Sequence, residues 1–254
     1  MFFLFQLCIH GLYLSNRLFY AIIRFLEILM ENSTRINKYL AEQGYTTRRG
    51  ADELISRKCV FINGKIAVLG DKVAEGDVVE VKDKKKPKDF FYFAFNKPKG
   101  LMTEDIVKTV NVQKDIFPVG RLDKQSHGLI ILTNDGRITD RLLNPKYDHE
   151  KEYTVITREK LRSNFKEKME GGVNIEGYQT QPCHIRIKRE NEFDIVITEG
   201  KKHQIRRMCV ALFNDVKDLK RTRIMNVRLG KLAVNSIRNI EGEELETFIA
   251  EIGL

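Results

Sequence analysis

The narrowest limit on how this chain folds comes from residues 120–136, Gly-Arg-Leu-Asp-Lys-Gln-Ser-His-Gly-Leu-Ile-Ile-Leu-Thr-Asn-Asp-Gly. Residues 129–132 are a short run of apolar β-formers, which reads as a buried strand, and Asn134-Asp135-Gly136 reads as the turn that ends it. A glycine-flanked Arg-x-Asp precedes the strand, so Asp123 is held on a tight loop at the mouth of a sheet. Loops on rigid scaffolds commonly carry function. The same aspartate is equally able to cap a turn or pair with a neighbouring arginine.

A second segment follows a similar plan. Residues 193–198 alternate (Phe-Asp-Ile-Val-Ile-Thr), Gly200 makes a turn, and Lys201-Lys202-His203-Gln204-Ile205-Arg206-Arg207-Met208 leads into a basic helix. From 201 to 231 ten Lys/Arg stand against Asp215 and Asp218, which leaves +8 of the chain's net +9 in one segment. Ile205, Met208, Leu219, Ile224 and Met225 interleave with these cations, so the segment is folded and its charges are expected on a surface. Concentrated positive charge speaks to a polyanionic partner rather than to fold; a solvated basic face is the plain alternative.

Four motifs then stand in order: Asn96-Lys97-Pro98-Lys99-Gly100, Gly120-Arg121-Leu122-Asp123, Lys151-Glu152-Tyr153 and His203-Gln204-Ile205-Arg206-Arg207. In type and order they resemble the signatures of the pseudouridine synthases of ribosomal RNA, a resemblance that covers nearly all of the chain except its first 30 or so residues. It implies an isomerase that breaks the N1–C1′ bond of a uridine, turns the base over and joins C5 to C1′. Nothing is oxidised and no group is imported, so neither a cofactor nor a metal is expected. By the same resemblance Asp123 is the catalytic carboxylate, acting as nucleophile at C1′ or as general base on the 2′ proton. Arg206 is its ion-pair partner, and Tyr153 stacks on the uracil with its hydroxyl near C5. Lys97 and Pro98 shape the pocket, and Arg121 enters the space left by a flipped-out base or holds a flanking phosphate. Lys202, Arg207, Arg221 and Arg223 of the basic segment grip the surrounding RNA. Arg221-Thr222-Arg223-Ile224-Met225-Asn226-Val227 is most similar to the F-type subgroup, which acts on large-subunit (23S) ribosomal RNA and in some members also on a transfer RNA (tRNA). The alternative from another class is a non-catalytic RNA-binding ribosome-assembly factor, although such a binder has no use for a carboxylate among its cations.

Residues 31–82 read as a separate small module. Ser33 or Thr34 is expected to cap a helix with Ile36, Tyr39 and Leu40 on one face, ended by Gly44. Thr47 is expected to cap a second helix with Ala51, Leu54 and Ile55 inward. Strands at 59–62 and 77–81 follow, the first ending at the turn Asn63-Gly64. The arrangement resembles the S4 RNA-binding domain, and by that resemblance Arg35, Lys38, Arg48, Arg49 and Lys65 face RNA phosphates, adding affinity more than sequence information. Lys58 stands where that family usually has glycine; a positive φ costs a lysine about 1 kcal/mol, so the local turn is open to change while the module survives. Residues 83–89 (Asp-Lys-Lys-Lys-Pro-Lys-Asp) form a charged linker. Beyond it, strands are expected at 90–95 and 152–156 and helices at 137–143, 163–170, 203–213 and 243–252. There is no regular βαβ alternation. The fold class is α+β: a small S4 domain, then a catalytic domain over 90–254 with a mixed or antiparallel central sheet flanked by helices.

A chain of 254 residues accommodates one small and one medium domain. Cys8, Cys59, Cys183 and Cys209 are scattered, and the histidines show no metal-ligand spacing, so neither a zinc site nor a disulfide framework is suggested. Reduced thiols of a cytoplasmic protein are the simple reading. Residues 1–29 are rich in Phe, Leu and Ile, interrupted only by Arg17, Arg24 and Glu27 among charged residues. They lack the layout of a signal peptide, and two arginines spoil a membrane span. Met30-Glu31-Asn32-Ser33 looks like an ordinary protein start, so translation is expected to begin at Met30, with an amphipathic membrane-surface helix as the alternative. No membrane partner is expected, and a monomer is the default.

Overall fold

The computed structural model describes residues 33–82, 89–112 and 115–254. The apolar extension, the start at Met30 and most of the charged linker lie outside the described residues. The chain divides into two compact units, residues 1–86 and 87–254.

The first unit holds, in order, β1 (Thr34–Arg35), α1 (Ile36–Glu42), α2 (Arg48–Ser56), β2 (Val60–Ile62), β3 (Lys65–Ile66), β4 (Lys72–Val73) and β5 (Val79–Val81). β2 sits between β3 and β5, all antiparallel, while β1 pairs with β4. Ile36 and Leu40 of α1 are four residues apart and so share a helix face; they bury against Ala51, Leu54 and Ile55 of α2 and Val60 of β2. Thr47 caps α2 as expected, its Oγ1 accepting from the Gly50 N–H at 2.9 Å. Arg35, rather than Ser33 or Thr34, occupies the N-cap position of α1, without a side-chain cap bond of its own. Lys58 keeps the left-handed backbone that glycine would favour, with φ of 58°, so the turn survives the substitution.

The second unit contains β6 (Tyr92–Lys97), α3 (Ile106–Thr109), β7 (Phe117–Val119), β8 (His127–Thr133), α4 (Arg137–Leu143), β9 (Lys151–Thr157) and α5 (Phe165–Glu170). Then come β10 (Asn174–Ile175), β11 (Tyr178–Gln179), β12 (His184–Arg189), β13 (Glu192–Ile197), α6 (Gln204–Ala211), β14 (Val216–Ile224), β15 (Val227–Arg228), β16 (Ile237–Asn239) and α7 (Gly242–Glu251). Nine strands form one sheet in the order β12-β13-β9-β14-β8-β6-β16, with β15 added to β14 and β7 to β8. β8 and β14 run parallel and the other pairs are antiparallel, so the sheet is mixed.

Side chains alternate across a strand, and β8 feeds two cores. Leu129 and Ile131 join Ile138 and Leu142 of α4 and Phe248 of α7, whereas Ile130 and Leu132 join Phe93, Phe95, Ile106 and Ile116. Residues 129–132 are therefore a strand apolar on both faces, which requires cover on both sides. A third cluster packs Phe165 and Met169 of α5 and Ile205, Met208 and Cys209 of α6 onto Tyr153, Val155, Phe193 and Ile195. The α+β class with a mixed sheet and flanking helices is what the chain adopts. Among the described residues no helix is long and apolar enough to cross a membrane.

Candidate active site

Strand register brings the motifs together. Ile195, Tyr153, Arg221, Gly128 and Lys97 are successive cross-strand partners on β13, β9, β14, β8 and β6. Neighbours along such a row are close enough for their side chains to interact. Gly128 is required within it: its φ is +103°, and an added Cβ would sit 2.8 Å from the Arg221 nitrogen and closer still to the Arg221 carbonyl oxygen. With no side chain there, β14 packs tightly against β8, just beyond the loop that carries Asp123.

That loop is tied down from three directions. Thr103 Oγ1 donates to the Leu122 carbonyl at 2.8 Å, and the Gly100 N–H donates to the Lys124 carbonyl at 2.8 Å. Lys97, fully buried, gives its ammonium to the carbonyls of Ser126 (2.8 Å), Pro98 (3.0 Å) and Asp123 (3.3 Å). Burial lowers the Lys97 ammonium to about 8; the Asp123 charge opposes this shift and the Arg221 charge adds to it. Lys97, expected to shape the pocket, is too buried to face RNA directly: its ammonium holds the backbone of the Asp123 loop.

Asp123 opens into a cleft of about 650 Å³ lined by the 120–123 loop, Lys151 and Tyr153 of β9, Arg221 of β14, and Gly200 to Ile205. That is the size of a small-molecule pocket. Tyr153 is buried, and its hydroxyl lies 3.5 Å from Arg221 Nη1. Lys151 donates to the carbonyls of His149 (2.9 Å) and Thr198 (3.3 Å), and burial, reinforced by the Arg221 charge, lowers it to about 8. The Asp123 carboxylate lies 3.3 Å from His203 Nε2, the one side chain within ion-pair distance of it among the described residues.

Several expected contacts fall elsewhere. Arg206 does not reach the Asp123 carboxylate; it donates to Ser126 Oγ (3.2 Å) and to the carbonyls of Val216 (3.3 Å) and Gln125 (3.4 Å). Arg221, taken as a surface cation, is buried and donates to the carbonyls of Leu129 (2.7 Å) and Arg121 (3.4 Å). Its Nη2 is buried with no partner. Arg223 is paired with Glu152 and Glu150, both at 2.9 Å, and Arg207 with Glu176 at 2.7 Å. A buried or paired cation is a poor phosphate grip, because most of its charge is already engaged. The exposed cations of the basic segment are Lys201, Lys202, Lys217, Arg228 and Lys231. Lys202 lines the cleft, and so does Arg121, which also pairs with Glu104 at 3.2 Å. In the first unit Arg35, Lys38, Arg48, Arg49 and Lys65 are all exposed.

Sequence reasoning assigned no role to Lys151, Gly128 or His203, although each stands in or beside a motif. The thiols of Cys183 and Cys209 are pushed up to about 12, in each case mainly by burial, and at such values they supply no thiolate near neutral pH. Among the described residues no three His, Cys, Asp or Glu side chains are grouped to hold a metal ion.

Comparison with known proteins agrees with this arrangement. The profile of the RNA pseudouridylate synthase family matches residues 91–211, and that of the S4 domain matches residues 34–79. The chain is 42% identical over 229 residues to the dual-specificity RNA pseudouridine synthase RluF of Escherichia coli K12, covering 86% of this chain and 79% of that one. It is 31% identical over 229 residues to the ribosomal large subunit pseudouridine synthase B of Bacillus subtilis, covering 84% and 94%. A crystal structure of a pseudouridylate synthase superposes with a TM-score of 0.64 at 28% identity, covering 86% of this chain and 99% of that one. Fold, motifs and relatives agree that the chain belongs to the RNA pseudouridine synthase family, an isomerase that makes pseudouridine in RNA and carries an S4 domain.

Proposed function

We propose that the enzyme isomerises a uridine of large-subunit ribosomal RNA, accepts a tRNA as a second substrate, and uses Asp123 as its catalytic carboxylate. The observation that carries the catalytic assignment is the position of Asp123: a half-exposed carboxylate at the rim of a cleft whose other charged walls are cationic. A pure RNA binder would gain nothing from it, since it repels phosphate. The substrate class is supported by the relatives, one described as dual-specificity and one as acting on the ribosomal large subunit.

A paired uridine must leave its stack to reach the carboxylate, which costs a few kcal/mol. Tyr153 forms an apolar wall for the uracil, and Arg121 at the cleft mouth holds the flanking backbone or fills the vacated space. Once the base is seated, Asp123 starts cleavage of the N1–C1′ bond by attack at C1′ or by removing the 2′ proton. Both routes need the ionised carboxylate. The uracil turns over, C5 bonds to C1′, and the C5 proton is released. Arg221 Nη2 is an unused donor at the cleft, suited to an oxygen of the turning base. Lys202 and the exposed cations of the S4 domain contribute the phosphate contacts. An RNA substrate of this class is consistent with the cytoplasm.

The test is to map pseudouridine in large-subunit RNA and in a tRNA pool after incubation with the enzyme. One modified uridine in the large-subunit RNA and one in a tRNA are expected. Modification confined to small-subunit RNA would overturn the substrate assignment.

A further inference from the structure

The end of α6 carries an aromatic side chain where the backbone asks for glycine. The Phe213 N–H donates to the Val210 carbonyl and the Asn214 N–H to the Cys209 carbonyl, both at 2.9 Å. This paired closure of a helix needs a left-handed residue at Phe213, a place that glycine usually takes. Phe213 holds it with φ of 63°, an outlier for a bulky side chain. The ring gains little burial in return: Phe213 is 71% exposed, and Val210 beside it is 59% exposed. The turn itself is firmly held. Asn214 is buried, and its amide donates to the Lys160 carbonyl at 3.4 Å. The Asp215 N–H donates to Glu159 Oε2 at 2.7 Å, and the Arg158 N–H donates to the Asp215 carbonyl at 2.9 Å. A side chain that is strained and exposed at once costs stability twice, and such strain points to function.

We propose that Phe213 and Arg162 form a platform on which an unpaired base of the RNA stacks, outside the catalytic cleft. The Arg162 guanidinium lies over the Phe213 ring, 4.5 Å from its centroid, and most of the ring stays open to solvent. Aromatic rings and guanidinium planes are the surfaces on which single-stranded bases stack. The surrounding charge suits a polyanion. Arg158, Arg162 and Lys217 are exposed and form no ion pair among the described residues, against the acids Glu159 and Asp215; Lys160 is neutralised by Glu190 at 2.7 Å. A second copy of the chain is a poor occupant, since two exposed apolar residues fall far short of the roughly 800 Å² per partner that a stable interface covers. The helix sets the distance from the chemistry. Gln204 and Ile205 at the start of α6 line the cleft, and its eight residues rise about 12 Å. The base at Phe213 is therefore a neighbour of the target uridine in the folded RNA, not the uridine itself.

This inference rests on RNA being the substrate and not on which RNA. Binding is therefore measured with large-subunit RNA and with single-stranded poly(A), because stacking tolerates any base. Phe213→Gly relieves the backbone and removes the ring. It is expected to weaken binding and raise KM by about fivefold or more, to leave kcat within about twofold, and to hold or raise the melting temperature. Arg162→Gln is expected to weaken binding in the same direction by a smaller factor. The chain has no tryptophan, so the emission of Phe213→Trp reports on this position alone; both RNAs should quench it, with affinity at least that of wild type. Unchanged affinity in Phe213→Gly, or emission of Phe213→Trp unmoved by saturating RNA, would overturn the inference. So would a fall in melting temperature without a loss of affinity, which would make the ring part of the fold. A dimer in wild type that becomes a monomer in Phe213→Gly would also overturn it, by placing a second copy on the ring. Quenching by poly(A), beside failure of the wild type to modify large-subunit RNA, would count against the substrate assignment and support the platform.

Discussion

Replacing Gly128 by alanine tests the close approach that builds the site. The methyl group adds two separate costs. A φ of +103° is strained for an L-residue by about 1–2 kcal/mol. The new Cβ also overlaps the backbone of Arg221, at 2.8 Å from its nitrogen, and a backbone atom in a central strand cannot swing aside as a side-chain tip would. Overpacking of this kind adds about 1–3 kcal/mol, for a sum of about 2–5 kcal/mol. At 2–4 °C per kcal/mol for a unit of this size, the melting temperature should fall by roughly 10 °C. Gly177 supplies the control: its φ of +84° carries a similar strain, yet nothing lies within 4 Å of an added Cβ. Gly177→Ala should cost about 1 kcal/mol and leave turnover intact. Thermal unfolding followed by circular dichroism separates the two variants. Activity at a temperature where both are folded shows whether displacing β14 also displaces Arg221. A Gly128→Ala protein as stable and as active as Gly177→Ala would refute the reasoning.

Lys97→Met removes an ammonium whose depression from 10.5 to about 8 corresponds to about 3 kcal/mol of burial cost at neutral pH. It also removes three hydrogen bonds worth about 1 kcal/mol each. The melting temperature should therefore change by only a few degrees while turnover falls at least tenfold, as an untethered Asp123 loop requires; an equal loss of both would point to a purely structural lysine. The pH dependence has a definite sign. Because the folded value is lowered, the native protein sheds this proton first, so Lys97 makes wild-type stability rise with pH between about 8 and 10 while activity falls; that part of the rise should be missing in Lys97→Met. In the S4 domain, Arg48→Ala combined with Arg49→Ala should reduce the slope of log affinity against log salt by about 0.7–0.9 per lost phosphate contact, with kcat at saturating RNA unchanged. An unaltered slope would remove these arginines from the RNA.

Much of this was legible in the sequence because periodicity and motif order agree. The run at 129–132 is a strand with cores on both faces, residues 137–143 are helical over that span, and the Gly-Arg-Leu-Asp loop opens on the cleft. The charged side chains were less legible. Arg221 and Arg223 read as surface cations because burying a charge is costly, and only tertiary structure supplies the carbonyls and carboxylates that offset that cost. One signal does locate Arg221: it stands two residues after Leu219, on the same face of β14, and Leu219 is buried. The geometry of Arg206 was out of reach for a different reason. Its helix begins only after the left-handed turn at His203, and a one-residue change in that start rotates every side chain on the helix by about 100°.

The most direct test of the catalytic account is tritium release from large-subunit RNA labelled at uridine C5, comparing wild type with Asp123→Asn at RNA concentrations where both are shown to bind. The account predicts release by wild type and none by Asp123→Asn, with RNA affinities within a few-fold of each other. Release by Asp123→Asn at a rate near that of wild type would contradict it.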